Sequence, residues 1–344
     1  MRTTILGAAG FLGINLVDAL VSAGITPRCG HRRRTNVIPL RRRKVPLTIA
    51  DLDAPETLAT AFADTDVVFH LAGHYPRHGR SPEQTVARAI NELSTVLDAA
   101  AAADVRRLVY VSSTATVAKR TDGQASTEAD VFPSAPDFGA YHAAKWAMED
   151  LALAEDRLEV VVACPGACLG PWDLRVGTSA LIVAIANGVA PPHPDGWVSP
   201  IDVRDVGRAL AHLATLDAPP RRVLLAGTSL RLQALLELLA DRYGVADPGA
   251  PLSDADAVAF ADAEEERVQD TPHRAALARE IADLVIHGAR IDARLGARLV
   301  PGGLTPLSET LDAFDAFARR MRLIPSPQTA EHPSAAAANS GATS

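Results

Sequence analysis

The stretch TTILGAAGFLGINLVDALVSAG, residues 3–24, decides the fold. It opens on a short strand-like run and breaks at Gly7, Gly10 and Gly13. It then continues with apolar residues at helical spacing as far as Gly24, a helix stop. Glycines let the backbone turn tightly and approach a pyrophosphate, and the N-terminus of the next helix offers free N–H groups and a positive dipole end. A strand before the glycines and a helix after them separate this pattern from an ordinary glycine-rich turn. On this reading Gly7, Gly10, Phe11, Leu12 and Gly13 cradle a dinucleotide.

The alternation continues outward. VPLTIAD (45–51), DVVFHLAG (66–73), RRLVYVSST (106–114) and LEVVVACPG (158–166) read as strands. APETLATAFAD (54–64), EQTVARAINELSTVLDAAAAA (83–103) and AYHAAKWAMEDLALAE (140–155) read as helices. Continuously apolar strands between helices argue an α/β fold, a Rossmann-type doubly wound parallel sheet covered on both faces. Residues 1–170 plus about 198–228 form the cofactor domain, and 171–197 plus 229–325 a smaller, mostly helical substrate lobe. Residues 326–344, rich in Pro, Ser, Ala and Gly, have nothing to bury and read as a disordered tail.

The 344 residues suffice for this plan. A net charge of −7 argues against a dedicated nucleic-acid partner. Cys29, Cys164 and Cys168 are too few and too odd in number for a disulfide framework, and point to a reducing compartment. The spacing of Cys164 and Cys168 is not that of a zinc site, and no metal is expected. No apolar run approaches the ~20 residues of a membrane span, and the N-terminus lacks a signal-like apolar stretch. A soluble, cytoplasmic protein without a membrane partner is expected.

YHAAK, residues 141–145, places Tyr141 and Lys145 on one helix face. Spacing alone leaves open whether they are a stacked surface pair or a proton donor with its tuner. The order of motifs decides. HLAG (70–73), YVSSTATV (110–117), YHAAK and CPGACLGP (164–171) follow the glycines, and VSPIDVRDVGRAL (198–210) comes later. Over about residues 1–230 the chain resembles the extended branch of the short-chain dehydrogenases/reductases, the epimerase/dehydratase family. GPWDL (170–174) and ANG (186–188) make it most similar to the dihydroflavonol-reductase-like group, including hopanoid-associated sugar epimerase-like proteins.

The resemblance implies Tyr141 as proton donor, Lys145 as the cation that lowers its pKa and holds the nicotinamide ribose hydroxyls, so that both residues also border the cofactor, and Thr114 as the hydroxyl that holds the substrate oxygen. It further places Asp51 and Leu52 at the adenine, and Leu71, Ala72 and Gly73 under the ribose and diphosphate. Ser112 falls near the cofactor or in a structural role. Pro165 and Cys168 fall at the nicotinamide, where they pack on it or hydrogen-bond it through the backbone; the thiols of Cys164 and Cys168 are read as core groups rather than reactive ones. Members of the family usually carry an Asn on the helix before the YVSS strand; Ala89 stands there, with Asn91 two residues on. Members also often pair as homodimers through helices at about 83–103 and 140–155. Trp146, Met148 and Leu151 offer apolar surface for that.

The cofactor choice follows from TPRCGHRRR (26–34). No Asp or Glu occurs between Gly24 and Ala50 to hold a ribose 2′-hydroxyl, whereas Arg28, Arg32, Arg33 and Arg34 cluster there. A guanidinium fits a 2′-phosphate, which points to NADP(H) held by Arg32 and Arg33; residues 41–44 read as a solvated basic loop. Ala115 and Thr116 follow Thr114 in place of the acid pair of sugar-nucleotide dehydratases, and CPGAC lacks the Asn of the epimerases. The expectation is an NADPH-dependent reductase of a small carbonyl substrate. The alternatives are an NAD(P)-dependent sugar epimerase and a non-catalytic NADP-binding sensor. His74, Tyr75, Arg77 and His78, with His193 and Trp197, are candidates for the substrate wall or for surface loops.

Overall fold

Strands buried on both faces need a helical layer above and below, and the chain supplies both. The computed structural model describes residues 1–72, 81–190, 192–269, 271 and 275–326. Its first half runs β1 (Thr3–Leu6), α1 (Phe11–Ser22), β2 (Arg28–His31), α2 (Ile38–Arg42), β3 (Leu47–Ile49), α3 (Glu56–Phe62) and β4 (Val67–His70). Then come α4 (Pro82–Ala102), β5 (Arg107–Val111), α5 (Ala140–Ala154) and β6 (Glu159–Pro165). The second half adds β7 (Ala167–Leu169), α6 (Ala180–Ala186), β8 (Trp197–Val198), β9 (Pro200–Asp202), α7 (Val203–Leu213), β10 (Arg222–Leu225) and β11 (Leu230–Arg231). Five helices close it: α8 (Leu232–Tyr243), α9 (Asp254–Val268), α10 (Arg279–Ile286), α11 (Arg294–Arg298) and α12 (Leu307–Arg320).

Seven strands pair in the order β10-β6-β5-β4-β1-β2-β3, every pair parallel. The two-residue period of a strand divides the core. Ile5, Phe69, Val109 and Val161 face α1 and α7, and Leu6, Val68, Leu108 and Val162 face α3, α4 and α5. Local signals set the ends. Ser81 caps α4 by accepting from the Gln84 N–H, with Pro82 and Glu83 in the first turn.

The turn after β1 depends on two glycines. Gly7 has φ +83°, and a Cβ there would lie 2.9 Å from the Ala72 nitrogen at the end of β4. A Cβ on Gly13 would lie 2.2 Å from the Gly7 carbonyl oxygen. Strand, turn and helix therefore approach closer than any side chain permits.

Two sequence readings change. Residues 289–300, assigned to the lobe, pack on the cofactor domain. Leu299 and Val300 join one face of its core, Ala289 and Ile291 the other, and Gly296 lies against Leu224. The lobe's own core gathers Leu169, Ile182, Leu236 and Phe314. Residues 41–44 are not all solvated. Arg43 donates twice to Asp18 of α1, at 2.5 and 2.7 Å, and its guanidinium lies 4.7 Å over the Trp172 ring. Trp172 holds φ +79° and leans on Phe317 of α12, so this contact ties the two units together. The short strand β8 pairs with β11, and β9, which follows it, pairs with β7. Nearly all of the proposed tail, from residue 327 on, lies outside the described residues. None of the described helices is long and apolar enough to cross a membrane.

A Gly13→Ala substitution should lower the unfolding free energy in urea by about 3 kcal/mol, since nothing rigid around it can yield. Gly10→Ala, whose Cβ meets only the Gly7 oxygen at 3.2 Å, should cost less than about 1 kcal/mol. Equal losses in the two variants would contradict this account of the turn.

Candidate active site

In a sheet of parallel strands all carboxyl ends meet on one edge, where α/β proteins bind their ligands. The strand order lines up on that edge Asp51 and Leu52 after β3, Arg32 and Arg33 after β2, and the glycine turn after β1. Leu71 and Ala72 follow β4, Thr114 follows β5, and Pro165 ends β6. Cys168 lies in β7, its thiol buried. Gly73, His74, Tyr75, Arg77 and His78 lie outside the described residues.

The glycine turn fits a dinucleotide. α1 has no side-chain cap and no acidic residue in its first turn, so the N–H groups of Phe11, Leu12 and Gly13 and the positive dipole end stay available. Gly10, exposed at the helix N-cap, is crowded by one carbonyl only. Internal packing thus demands Gly7 and Gly13, whereas bare backbone at Gly10 suits a ligand drawn close. Arg32 and Arg33 are exposed, and their side chains make no hydrogen bond or ion pair among the described residues. Arg28, by contrast, donates to the Ala61 and Ala63 carbonyls and is structural.

Tyr141 and Lys145 are both buried on α5, at 8% and 7% exposure, which rules out a surface pair. Lys145 Nζ donates to the Val111 carbonyl at 3.3 Å, so the lysine reaches back to the end of β5. Burial pulls the ammonium down to about 8, with the carboxyls of Glu149 and Glu280 acting the other way.

Four hydroxyls crowd the turn after β5. Ser112 Oγ and Thr116 Oγ1 donate to Glu149 Oε2, at 2.6 and 2.8 Å. Ser113 Oγ accepts from the Ala115 N–H. Thr114 Oγ1 alone takes part in no hydrogen bond among the described residues, and it is half-exposed. Of the two roles open to Ser112 the structural one fits: its hydroxyl is spent inside the fold, and any cofactor contact would come from its backbone.

Other expectations also shift. Asn91 is exposed on the outer face of α4 while Ala89 is buried, so Asn91 does not replace the family's Asn. His193 is buried and pairs through Nε2 with Gln233, and Trp197 is covered by the guanidinia of Arg231 and Arg290; neither is an open substrate wall. The apolar surplus argued for dimerisation is used internally. Met148 is in the core, Leu151 packs against it, and Trp146 Nε1 donates to the Phe132 carbonyl. The three cysteines are buried, and burial drives the Cys168 thiol up to about 12 and Cys164 higher still.

Two acidic residues went unread in the sequence. Glu149 accepts from Ser112, Thr116 and the Arg222 guanidinium, the last at 2.5 Å. It falls four residues after Lys145, and the i, i+4, i+8 spacing of Tyr141, Lys145 and Glu149 could have revealed it. Glu280, in the first turn of α10, has no sequence signal. Its carboxyl is raised to about 7 by burial, with Lys145 acting the other way, which brings lobe and α5 to one place. Phe138 stacked on His287 at 3.8 Å, and Asp283 against Gly139, close the same junction.

Residues 3–226 match the NAD dependent epimerase/dehydratase family. A putative dihydroflavonol 4-reductase of Synechocystis is 29% identical over 71% of this chain and 73% of its own length. Cinnamoyl-CoA reductase 2 of Arabidopsis thaliana is 31% identical over 69% and 76%. A solved structure, a nucleoside-diphosphate-sugar epimerase from Pseudomonas aeruginosa, superimposes with a TM-score of 0.79 at 25% identity, covering 94% of this chain and 99% of that one. The glycine cradle, the parallel sheet and this match over the whole cofactor unit make the chain a member of the NAD dependent epimerase/dehydratase family, within the extended short-chain dehydrogenases/reductases.

Proposed function

We propose that the protein is an NADPH-dependent reductase of a ketone or aldehyde in a small organic or secondary-metabolite substrate. The observation that carries this reading is the set Thr114, Tyr141 and Lys145 at the carboxyl edge, with Thr114 the one hydroxyl of its turn left unengaged among the described residues. The bound dinucleotide supplies the hydride. The α1 N-terminus would hold its diphosphate, and Arg32 and Arg33 its 2′-phosphate. Thr114 orients the substrate oxygen and donates a hydrogen bond to it as negative charge develops. Tyr141 gives that oxygen a proton, and the Lys145 ammonium lowers the cost of the tyrosinate left behind. Relatives named as dihydroflavonol and cinnamoyl-CoA reductases support reduction over isomerisation. A cytoplasmic location and a homodimer through α4 and α5 complete the proposal; the latter rests on the family's habit.

Tyr141→Phe keeps the ring and removes the acid. Turnover should fall ~10²–10⁴-fold while NADPH affinity, followed by fluorescence titration, barely moves. More than about a tenth of parent turnover in the variant would exclude Tyr141 as the donor.

Calorimetry should find NADPH bound more tightly than NADH. Arg32→Ala with Arg33→Ala should remove most of a preference of about 1.5–3 kcal/mol, the range for a charged hydrogen bond. Equal affinity for the two cofactors in the parent protein would contradict the assignment.

A further inference from the structure

Helix α10 of the lobe is tied to both elements that carry the candidate catalytic groups. Lys119, just past the turn that presents Thr114, donates through Nζ to the Ile286 carbonyl at 2.7 Å and so holds the C-terminal end of α10 to that turn. Phe138, just before α5, stacks on His287 with ring centroids 3.8 Å apart, and His142 meets the same imidazole edge-on at 6.2 Å. A Cβ on Gly139 would lie 2.8 Å from Asp283 Oδ2. The helix therefore walls the space beside Thr114 and the first turns of α5, where Tyr141 and Lys145 stand.

Glu280, Asp283 and His287 recur at helical spacing, so they share one face of α10. Asp283 and His287 meet the start of α5, and Glu280, one turn before Asp283, lies in the field of Lys145. The charged groups around Glu280 are Lys145 from α5, Glu265 from α9 and Asp283 from its own helix. Both acidic neighbours are engaged: Asp283 accepts from the Arg279 guanidinium at 2.9 Å, and Glu265 from the Arg279 backbone N–H at 2.8 Å. The half-buried Glu280 carboxyl takes part in no hydrogen bond or ion pair among the described residues. Its raised proton affinity, with burial as the cause, is that of a carboxyl short of donors.

A partly desolvated carboxylate without a donor is costly, and the fold around Glu280 does not offset that cost. A ligand that brings a donor does. We propose that Glu280 is a substrate-recognition residue whose carboxylate accepts a hydrogen bond from a hydroxyl group of the carbonyl substrate. The substrate class is then a hydroxylated ketone or aldehyde, with its carbonyl at Thr114 and Tyr141 and its hydroxyl against α10. An amine would set a second cation beside Lys145, so a neutral donor is the one that fits. The inference rests on the reading of Thr114, Tyr141 and Lys145 as the reaction centre, and it gives Glu280 no part in proton transfer.

Probes that differ only in a hydroxyl against its methyl ether test this by calorimetry, on the full chain saturated with oxidised NADP at about pH 8, where the carboxyl is mostly ionised. Hydroxyacetone with methoxyacetone, and vanillin with veratraldehyde, set the hydroxyl near the carbonyl and far from it. The parent should bind the hydroxyl member of at least one pair about tenfold or more tightly. Glu280→Leu should abolish that preference, and Glu280→Gln, which keeps a neutral acceptor, should retain part of it. Equal binding of both members of each pair by the parent, or a preference that survives unchanged in Glu280→Leu, would overturn the proposal. In a second arm, Glu280→Leu should unfold at a temperature no lower than the parent, because the carboxyl holds nothing in the fold. A loss of several degrees would make Glu280 a structural residue and overturn the proposal as well. Neither arm reads turnover, so a protein that binds the probes as stated but reduces none of them would sink the reductase reading and leave the role of Glu280 standing.

Discussion

One buried carboxylate organises the candidate site. Glu149 is 3% exposed and receives the hydroxyls of Ser112 and Thr116 and the guanidinium of Arg222. Those partners come from the turn after β5 and from β10, and Glu149 itself from α5. Arg222 is held further by the Glu128 carbonyl, and Glu128 in turn accepts from the Leu224 N–H. A buried ion pair of this kind adds little net stability, but breaking it by removing one partner costs about 3–5 kcal/mol. What it gives is register. The turn that presents Thr114 and the helix that presents Tyr141 and Lys145 are fixed to one anchor, one helical turn below Lys145.

The arginines divide their work in the same manner. Arg28, Arg43 and Arg222 each end on a carbonyl or carboxylate and serve the fold. Arg107, wholly buried, donates to Glu159 and to the carbonyls that end α7. Arg32 and Arg33 sit one and two residues past β2, exposed, on the edge shared with the glycine turn. An arginine count could not separate these roles; engagement by neighbouring acceptors does.

The parallel sheet was legible because its central strands β4, β5 and β6 are largely apolar and bracketed by helices, a pattern that admits few other architectures. Gly7 and Gly13 were legible because a strand precedes them and a helix follows; spacing put Tyr141 and Lys145 on one helix face, and their role was suggested only by the order of the motifs. Ser112 was left between two roles because three adjacent hydroxyls look alike in sequence, and only the direction of Glu149 distinguishes them. The placement of 289–300 was misread because packing of Gly296 against Leu224 joins residues far apart in the chain. Glu280 could not be foreseen for the same reason: its nearness to Lys145 is a product of how the lobe folds back.

A reductase consumes one NADPH for each carbonyl group it reduces, whereas an epimerase returns its cofactor unchanged, so cofactor stoichiometry separates the two. NADPH absorbance is followed while the protein is offered a panel of ketones and aldehydes, with nucleotide sugars as the second arm. One NADPH should be oxidised for each alcohol formed from a carbonyl compound, with no turnover of nucleotide sugars. Conversion of a nucleotide sugar to its epimer without net change in absorbance would contradict net reduction.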